Sequence, residues 1–345
     1  MPLWTDLMTP VEATGIARDE QYLIEQSKGG TLARYLPNVF VDSDHVRFYP
    51  GSSGLVDVAA YRAFNAPPEI GKGQGLVRKT IDLPSIARNE PIDEMTQKEL
   101  ARLSDDRIRK SIEAAIRRNV QAISSRQELT RGIAIEQGKV VVDTENVWIN
   151  DDYGRNAALT ITAAALWSTA GVDRITAMNA WLDVYKTYNN GVLPGRVLMG
   201  STAFAAFSAG SQFATLLANG ATRPGLKAEI LALAESAGIP PIEVYDRSVS
   251  VNGTTTKVLS SNKIYFVPEP VAPDDENGSL LGATYWGRTV SAGFDSWDIQ
   301  PDEQPGIVCG VFKEDSVGSS IEVQGDSIGE PVLANANASM TITVV

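Results

Sequence analysis

The chain of 345 residues contains one cysteine and one histidine, so the residue types behind much metal and nucleophile chemistry are scarce. A single cysteine, Cys309, excludes a disulfide within the chain and fits a protein made in a reducing cytoplasm. It stands in the apolar stretch GIVCGVF, where it is predicted to pack in the core. His45 has no second histidine with which to hold a metal, and we interpret it as a surface or hinge residue.

Long apolar runs and an excess of basic residues are also missing. No stretch of about 18 apolar residues occurs, and the start, MPLWTDLMTP, lacks a basic segment followed by an apolar one. We therefore expect neither a membrane anchor nor a secretion signal. The 30 Lys and Arg residues against 42 Asp and Glu residues give a formal net charge of −12. That charge argues against a surface that binds phosphate backbones or anionic lipids.

The motifs that usually mark an enzyme are absent or incomplete. The glycine-rich stretch GKGQG at 71–75 lacks the spacing of a phosphate-binding loop, and we interpret it as a flexible loop tip. GSSG at 51–54 is not the nucleophile elbow of a serine hydrolase. DDENG at 274–278 lacks the alternating ligands of an EF-hand. The sequence therefore predicts no catalytic residue, no cofactor and no metal site.

Two helices have clear start signals. Thr9 and Glu12 have the spacing of a capping box, with Pro10 in the first turn, and predict an amino-terminal helix. That helix could belong to a detached arm as easily as to the core. A longer helix is predicted to run to about Arg131, with possible starts at the Thr96–Glu99 capping-box pair and at Ser104, because isoleucine and valine recur every three or four residues after Ser104. At about 40 Å it would suit a structural rod.

After this predicted helix the sequence changes from a helical pattern to one of strands and turns. Gly132 is the predicted end of the helix, and GIAIEQGKVVVDT is predicted to be a hairpin that turns at Gln137-Gly138. Further along, strands alternate with helices as far as residue 246, and Asn252-Gly253 marks another hairpin turn. The carboxy-terminal stretch is rich in strands. These elements together predict the α+β class.

The most unusual stretch is 45–83, which alternates between apolar and polar side chains as two long strands would. A tip rich in proline and glycine, NAPPEIGKGQG, joins the two strands. Such a hairpin has no core of its own, and it is stable only when another surface covers it. The sequence thus predicts a hairpin that another surface must cover.

Four segments carry a resemblance to a known family: RKTIDLPSIARNEPIDEM (78–95), LTRGIAIEQGKVVVD (129–143), RVLMGSTAFAAF (196–207) and IGEPVLANANASMTITVV (328–345). In this order the chain resembles the lambda-type major capsid protein E family of tailed phages. The resemblance implies the Hong Kong 97-type capsid fold, with an N-terminal arm, an extended β-hairpin loop, a long spine helix in a peripheral domain, and an α/β axial domain.

The resemblance also implies a division of the chain. Residues 1–44 would be the N-terminal arm and 45–91 the extended loop, or E-loop. The peripheral domain with its spine helix would cover 92–170, and the axial domain 171–310. Residues 311–345 would return as strands to the peripheral domain.

The function implied is that of a shell subunit. Copies would assemble into hexamers and pentamers of an icosahedral head that encloses double-stranded DNA without sequence-specific binding. Expected partners are further copies, a separate scaffolding protein, a portal and a decoration protein, with assembly in the cytoplasm of the bacterial host. Membranes, cofactors and catalysis are not expected.

The contacts between subunits are expected in the extended loop. The predicted contact residues are Pro67, Ile70, Lys72, Leu76 and Arg78. Three alternatives remain open at this point: an encapsulin-type shell around protein cargo, an α/β enzyme, and a phage tail or decoration protein.

Overall fold

The computed structural model describes residues 2–27, 31–48, 78–101, 105–143, 147–169, 171–211, 213, 225–314 and 320–345. The helices there are α1 (Pro10–Glu25), α2 (Glu94–Ala101), α3 (Asp105–Gln137), α4 (Arg174–Tyr188), α5 (Ser201–Ser208) and α6 (Lys227–Ser236). None of them has both the length and the apolar character needed to cross a bilayer.

The described residues also form strands. They are β1 (Asn38–Phe40), β2 (His45–Phe48), β3 (Lys79–Asp82), β4 (Ser85–Ile92), β5 (Lys139–Asp143), β6 (Trp148–Asp152), β7 (Thr160–Thr162), β8 (Arg196–Met199), β9 (Ile242–Val244), β10 (Ser248–Val251), β11 (Thr254–Lys257), β12 (Lys263–Val267), β13 (Ala283–Gly287), β14 (Val308–Lys313), β15 (Ile321–Val332) and β16 (Met340–Thr343). The predicted mixture of helices and sheets is confirmed.

The first sheet is built around β15, which is 12 residues long. Its residues 321–326 pair with β14, and residues 321–328 pair with β4. The remaining part pairs with β13, to which β1 adds in parallel. Helix α3 packs on this sheet, and isoleucines of the helix share one apolar cluster with Val323 of β15.

The second sheet has the strand order β7-β16-β12-β8-β9. Its central strand β12 is buried on both faces. Phe266 and Ile264 lie in the apolar cluster formed with α4, α5 and α6. Tyr265 and Val267 lie in a different cluster, which includes Ile135 near the end of α3. The second sheet is thus packed between its own helices and the carboxy-terminal end of α3.

The long helix extends further than predicted. It includes Gly132 and ends at Gln137, with Gly138 in the left-handed region at φ 69°. Glycine at position 132 serves packing, because a Cβ built there would lie 2.2 Å from the Val258 carbonyl oxygen. A glycine that allows close approach of another backbone segment has the same sequence signal as one that ends a helix.

The hairpin predicted at Gln137-Gly138 is therefore wrong. The residues before Gly138 belong to α3, and the hairpin follows Gly138, where β5 pairs with β6. The Asn252-Gly253 turn is confirmed: it joins β10 to β11 with both residues at positive φ, 50° and 79°. Positive φ at both central positions is the geometry that selects Asn-Gly.

The two sheets cut across the expected division of the chain. Strands β13 and β14, expected in the axial segment at least up to residue 310, belong to the first sheet with α3. Strand β16, expected to return to the peripheral segment, pairs with β12 in the second sheet. Each pairing joins strands far apart in sequence, so local patterns did not indicate it.

The amino-terminal helix packs against the rest of the chain. Its predicted capping box is present: Thr9 Oγ1 accepts from the Glu12 N–H, and the Glu12 carboxylate accepts from the Thr9 N–H. Helix α1 then lies against α3 and β14. Ala13 and Ala17 of this helix are fully buried. Of the two possibilities left open by the sequence, α1 is part of the core.

Gly15 of α1 and Gly132 of α3 allow a matched test. Gly132→Ala should destabilise the fold by about 2 kcal/mol or more, because the added methyl group collides with the backbone at Val258. Gly15→Ala in α1 meets no atom within 4 Å, so it should stabilise the fold by about 0.5–1 kcal/mol. Urea unfolding of the unassembled chain measures both. Equal effects of the two substitutions would contradict the packing role of Gly132.

Candidate functional site

Four of the five predicted contact residues lie outside the described part of the chain. Pro67, Ile70, Lys72 and Leu76 are outside the described residues. Arg78 is described and exposed, directly before β3. It therefore stays a predicted contact, at the base of the loop.

The base of this loop is anchored in the core. Strands β2 and β3 pair antiparallel, and Val46, Phe48 and Ile81 on them are buried. The ring of Phe48 contacts that of Tyr153, with centroids 6.3 Å apart. The orientation of the two strands that lead into the loop is thus set by the subunit itself.

The residues with potential chemistry are dispersed. Cys309 is fully buried, as predicted, and burial raises the pKa of its thiol to about 12. His45 is half-buried on β2, with its Nδ1 2.8 Å from an Asp44 carboxylate oxygen. Among the described residues, no group of three or more His, Cys, Asp or Glu side chains is placed to hold a metal ion.

The dominant polar feature is instead a buried junction around Arg131 of α3. Its guanidinium donates from Nε to Thr284 Oγ1 at 2.8 Å and from Nη2 to Asn38 Oδ1 at 2.6 Å. It also lies 3.3 Å from Glu25 and 3.4 Å from Glu128. All five side chains are buried. The junction therefore joins α1, β1 and β13 to the long helix.

The partners of Arg131 are themselves held by further bonds. Glu128 accepts from the Leu32 N–H at 2.8 Å and from the Tyr245 hydroxyl. Asn38 Oδ1 accepts from Trp286 Nε1 at 2.7 Å. Because these donors come from separate segments, the junction closes a network between the amino-terminal region and both sheets.

The charges of the junction are unbalanced, since one guanidinium lies beside two carboxylates. Burial raises the pKa of Glu25, while Arg131 and Asn38 oppose that rise. Removing charges from water costs free energy that only close, well-bonded partners recover. The arginine is therefore the group on which both carboxylates depend.

A second polar cluster closes the carboxy-terminal end of α3. Arg155 Nη1 donates to the Ile135 carbonyl at 2.7 Å, and Nη2 donates to that of Glu136. Burial lowers the pKa of Arg155 to about 10. A cation at this end complements the helix dipole and satisfies carbonyls that lack partners within the helix. Arg155 thus terminates α3 together with Gly138.

The Glu136 carboxylate lies in the same cluster and points to the second sheet. It accepts from Lys263 Nζ at 2.7 Å, from Ser260 Oγ at 2.8 Å and from the Tyr265 hydroxyl at 2.8 Å. Burial acts to raise the pKa of Glu136, but the bonds from Lys263, Ser260 and Tyr265 outweigh it and lower the pKa. The end of α3 is therefore bonded to β12.

A third cluster surrounds Glu330 of β15. The Tyr153 hydroxyl lies 3.0 Å from Glu330 Oε1 and 2.8 Å from the Pro331 carbonyl oxygen. Burial and, after it, the nearby Asp151 carboxylate raise the pKa of Glu330 to about 8. The raised pKa favours the protonated form of Glu330 where β15 meets the β5–β6 hairpin and Tyr153.

Sequence analysis missed these polar residues, although a signal was present. The buried stripe of the long helix includes Asn119 among its isoleucines and valine, and it continues at the same spacing through Gln127 and Arg131. Asn119 Nδ2 donates to the Val323 carbonyl at 2.8 Å, and Gln127 Nε2 to that of Gly329 at 2.7 Å. Polar residues on a buried stripe predict buried hydrogen bonds. Their partners lie about 200 positions away, which no spacing rule identifies.

The junction predicts a large effect of removing its cation. Arg131→Met should lower the free energy of unfolding by about 3–5 kcal/mol, because two buried carboxylates lose their partner. Arg117→Met is the matched control on the same helix, since Arg117 is exposed and lies 3.9 Å from Glu20. It should cost less than about 1 kcal/mol. Chemical denaturation of the unassembled chain measures both.

The triple variant Arg131→Met, Glu25→Gln, Glu128→Gln separates charge from packing. It removes the unpaired carboxylates and should recover part of the loss seen in Arg131→Met. An Arg131→Met variant as stable as the Arg117→Met control would contradict the role of the junction.

The Glu330 cluster predicts a dependence of stability on pH. The pKa of Glu330 is raised in the folded chain from 4.5 to about 8. Its contribution to stability is therefore full below about pH 4.5 and is lost as the pH rises through 8. The melting temperature should be lower at pH 9 than at pH 5, and this decrease should be smaller in Glu330→Gln than in the original chain.

Glu322→Gln is the control, because it changes the same residue type on the same strand, at a position that is half-exposed. That variant should lose stability between the two pH values as much as the original chain does. Parallel losses in Glu330→Gln and the original chain would refute the assignment of the raised pKa to Glu330.

Comparison with known proteins identifies a family and solved structures that this chain resembles. The family model described as phage major capsid protein E matches residues 45–285. A comparison with curated proteins finds no match. Among solved structures, a protein assigned as a capsid protein of a prophage from E. coli CFT073 is 15% identical with a TM-score of 0.61, over 95% of this chain and 98% of that chain.

A phage-related protein from Bordetella bronchiseptica RB50 is 12% identical with a TM-score of 0.58, over 99% of this chain and 97% of that chain. The two structures show that the fold, including the parts beyond residues 45–285, is shared with a phage capsid protein, as the resemblance in sequence implied. The family match covers more than half of the chain. The chain therefore belongs to the phage major capsid protein E family and is a phage capsid shell protein.

Proposed function

We propose that copies of this chain form the hexamers and pentamers of an icosahedral head that encloses the double-stranded DNA of a tailed phage. The observation that carries this proposal is the family match over residues 45–285, together with a fold shared over 95% of the chain. The function is assembly, and the chain needs no catalytic residue for it. The same match favours a phage capsid over an encapsulin-type shell or an enzyme.

Exposed apolar side chains support association on several sides. Large ones occur in neighbouring pairs on separate elements: Tyr22 and Leu23 on α1, Val147 and Trp148 at β6, Val192 and Leu193 after α4, and Val290 and Phe294 after β13. Trp148 is 72% exposed. A subunit that formed only a dimer would need one such surface. A subunit in a closed shell contacts neighbouring subunits on each of its sides.

The domain roles follow the two sheets. The first sheet with α3 would be the peripheral domain, with α3 as its spine helix. The second sheet with α4, α5 and α6 would be the axial domain near the centre of each capsomer. Of the expected loop 45–91, the part between β2 and β3 would extend over a neighbouring subunit, because β4 pairs with β15 of its own subunit. Arg78, at the base of this part, would contact the neighbour.

The partners follow from the same role. Shell assembly would use a separate scaffolding protein and a portal in the cytoplasm of the host, with a decoration protein added outside. DNA would be enclosed without sequence-specific contacts. The net charge of −12 supports this last point, because it opposes tight adhesion of the packaged phosphate backbone.

Expression tests the proposal directly. The chain should form closed icosahedral shells, alone or when produced with the neighbouring phage genes, and negative-stain microscopy would show them. Particles filled with a protein cargo would indicate the encapsulin alternative. Soluble monomers under both conditions would refute the shell function.

A shortened loop tests where the subunits interlock. Deleting 67–75, which lies outside the described residues, should leave the folded core intact and prevent closure of shells, because the loop would no longer reach its neighbour. Circular dichroism checks the fold and sedimentation measures assembly. Normal shells from this variant would contradict the contact role of Pro67, Ile70 and Lys72.

A further inference from the structure

A groove of about 500 Å³ lies beside α3. One wall is the helix, which presents Arg118, Ala122 and Arg126 at intervals of four residues, so that the three side chains share one face. Arg88 of β4 lines it as well, and the turn of the β10–β11 hairpin closes it with Asn252. The groove is thus open to solvent and bounded by three elements.

The groove is basic in an otherwise acidic chain. Its described lining includes three arginines and no carboxylate side chain. Arg118 forms an ion pair with Glu90. Arg88 and Arg126 are exposed, and neither forms an ion pair with any residue that the structure describes. Two guanidinium groups therefore remain available to a ligand.

Other arginines of α3 differ in this respect. Arg109 lies 3.5 Å from both Glu12 and Glu113, and Arg131 is enclosed in the buried junction. Among the described residues, Arg88 and Arg126 are thus left free at the groove, whereas Arg109 and Arg131 are paired within the subunit. Guanidinium groups bind carboxylates through two parallel hydrogen bonds, which gives geometric selectivity as well as charge.

We propose that this groove binds carboxylate side chains of a second copy of the chain. The inference rests on the proposed shell function and names one of its contacts. Copies that each carry a net charge of −12 repel one another. Contacts between copies are favoured where opposite charges meet, and the groove is a place where basic charge is not neutralised within the subunit.

A second copy has the carboxylates that this surface requires. Asp274 and Glu276, in the turn before β13, are exposed and form no ion pair with a described residue. Ser125, Ser250 and Asn252 line the groove and can donate or accept further hydrogen bonds at its rim.

Double-stranded DNA is the competing occupant. Two free arginines neutralise few phosphates, and affinity for DNA grows with the number of phosphates neutralised. The net charge of the chain opposes DNA over the rest of the surface. The observations therefore favour a protein carboxylate, and DNA becomes an outcome of the test.

The experiment compares two double variants of the full chain with equal changes in charge. Arg88→Glu, Arg126→Glu reverses the groove. Arg107→Glu, Lys110→Glu reverses two exposed cations of α3 that do not line it. Shell yield is measured by sedimentation and negative-stain microscopy. Melting of the unassembled chains should stay within about 3 °C of the original, since all four positions are exposed.

We expect the groove variant to lose shell yield by about tenfold or more, because like charges would then face each other across the contact. The control variant should assemble as the original chain does. Arg88→Lys, Arg126→Lys keeps both charges and should retain most of the shell yield. Raising the ionic strength should narrow the difference between the groove variant and the original chain.

Other results would overturn the inference. Normal shells from the groove variant would show that the groove does not bind another copy. Normal shells that retain less nuclease-resistant DNA would assign the groove to DNA instead. If the original chain itself forms no shells, the proposed function fails, and this is distinct from a failure of the groove variant alone.

Discussion

The guanidinium of Arg131 is almost completely removed from water, and it can be tolerated there only if its partners are held around it. Those partners come from α1, β1, β13 and α3 itself, so the charge requires four elements to meet at one point. Glu25, near the carboxy-terminal end of α1, is one of the two neutralising groups, so the buried charge adds to the apolar contacts that hold α1 in the subunit core. The amino-terminal region, the long helix and the first sheet must therefore pack together for the buried charge to be compensated.

The long helix acts as the common element of the two sheets. Near its middle, Asn119 and Gln127 are bonded to carbonyls of β15, and at its end Glu136 is bonded to residues around β12. Side-chain amides and a carboxylate fix the position of a helix along its axis, which apolar contacts alone do not do. The two sheets are thereby positioned relative to one another through a single helix.

Much of this arrangement was predictable from the sequence where the signal is local. The capping box at Thr9, the Asn252-Gly253 turn and the apolar stripe of α3 each follow from rules that concern neighbouring residues. Gly132 was misassigned because its role depends on the backbone at Val258, more than a hundred positions away. The pairing of β16 with β12 and the partners of Arg131 depend in the same way on contacts between distant segments. Resemblance to a family supplied the function, since the residues of the groove and the junction show no catalytic pattern.

Strand β15 has a mechanical consequence. At about 3.3 Å per residue its 12 residues span about 40 Å, and three other strands pair with it antiparallel. The hydrogen bonds of antiparallel strands run perpendicular to the strand direction. A pull along β15 therefore loads many of these bonds at once in shear, whereas a pull across the sheet would open them one after another. A subunit stretched in the direction of this strand would resist as a unit, and the bonds from Asn119 and Gln127 would pass that load to the helix.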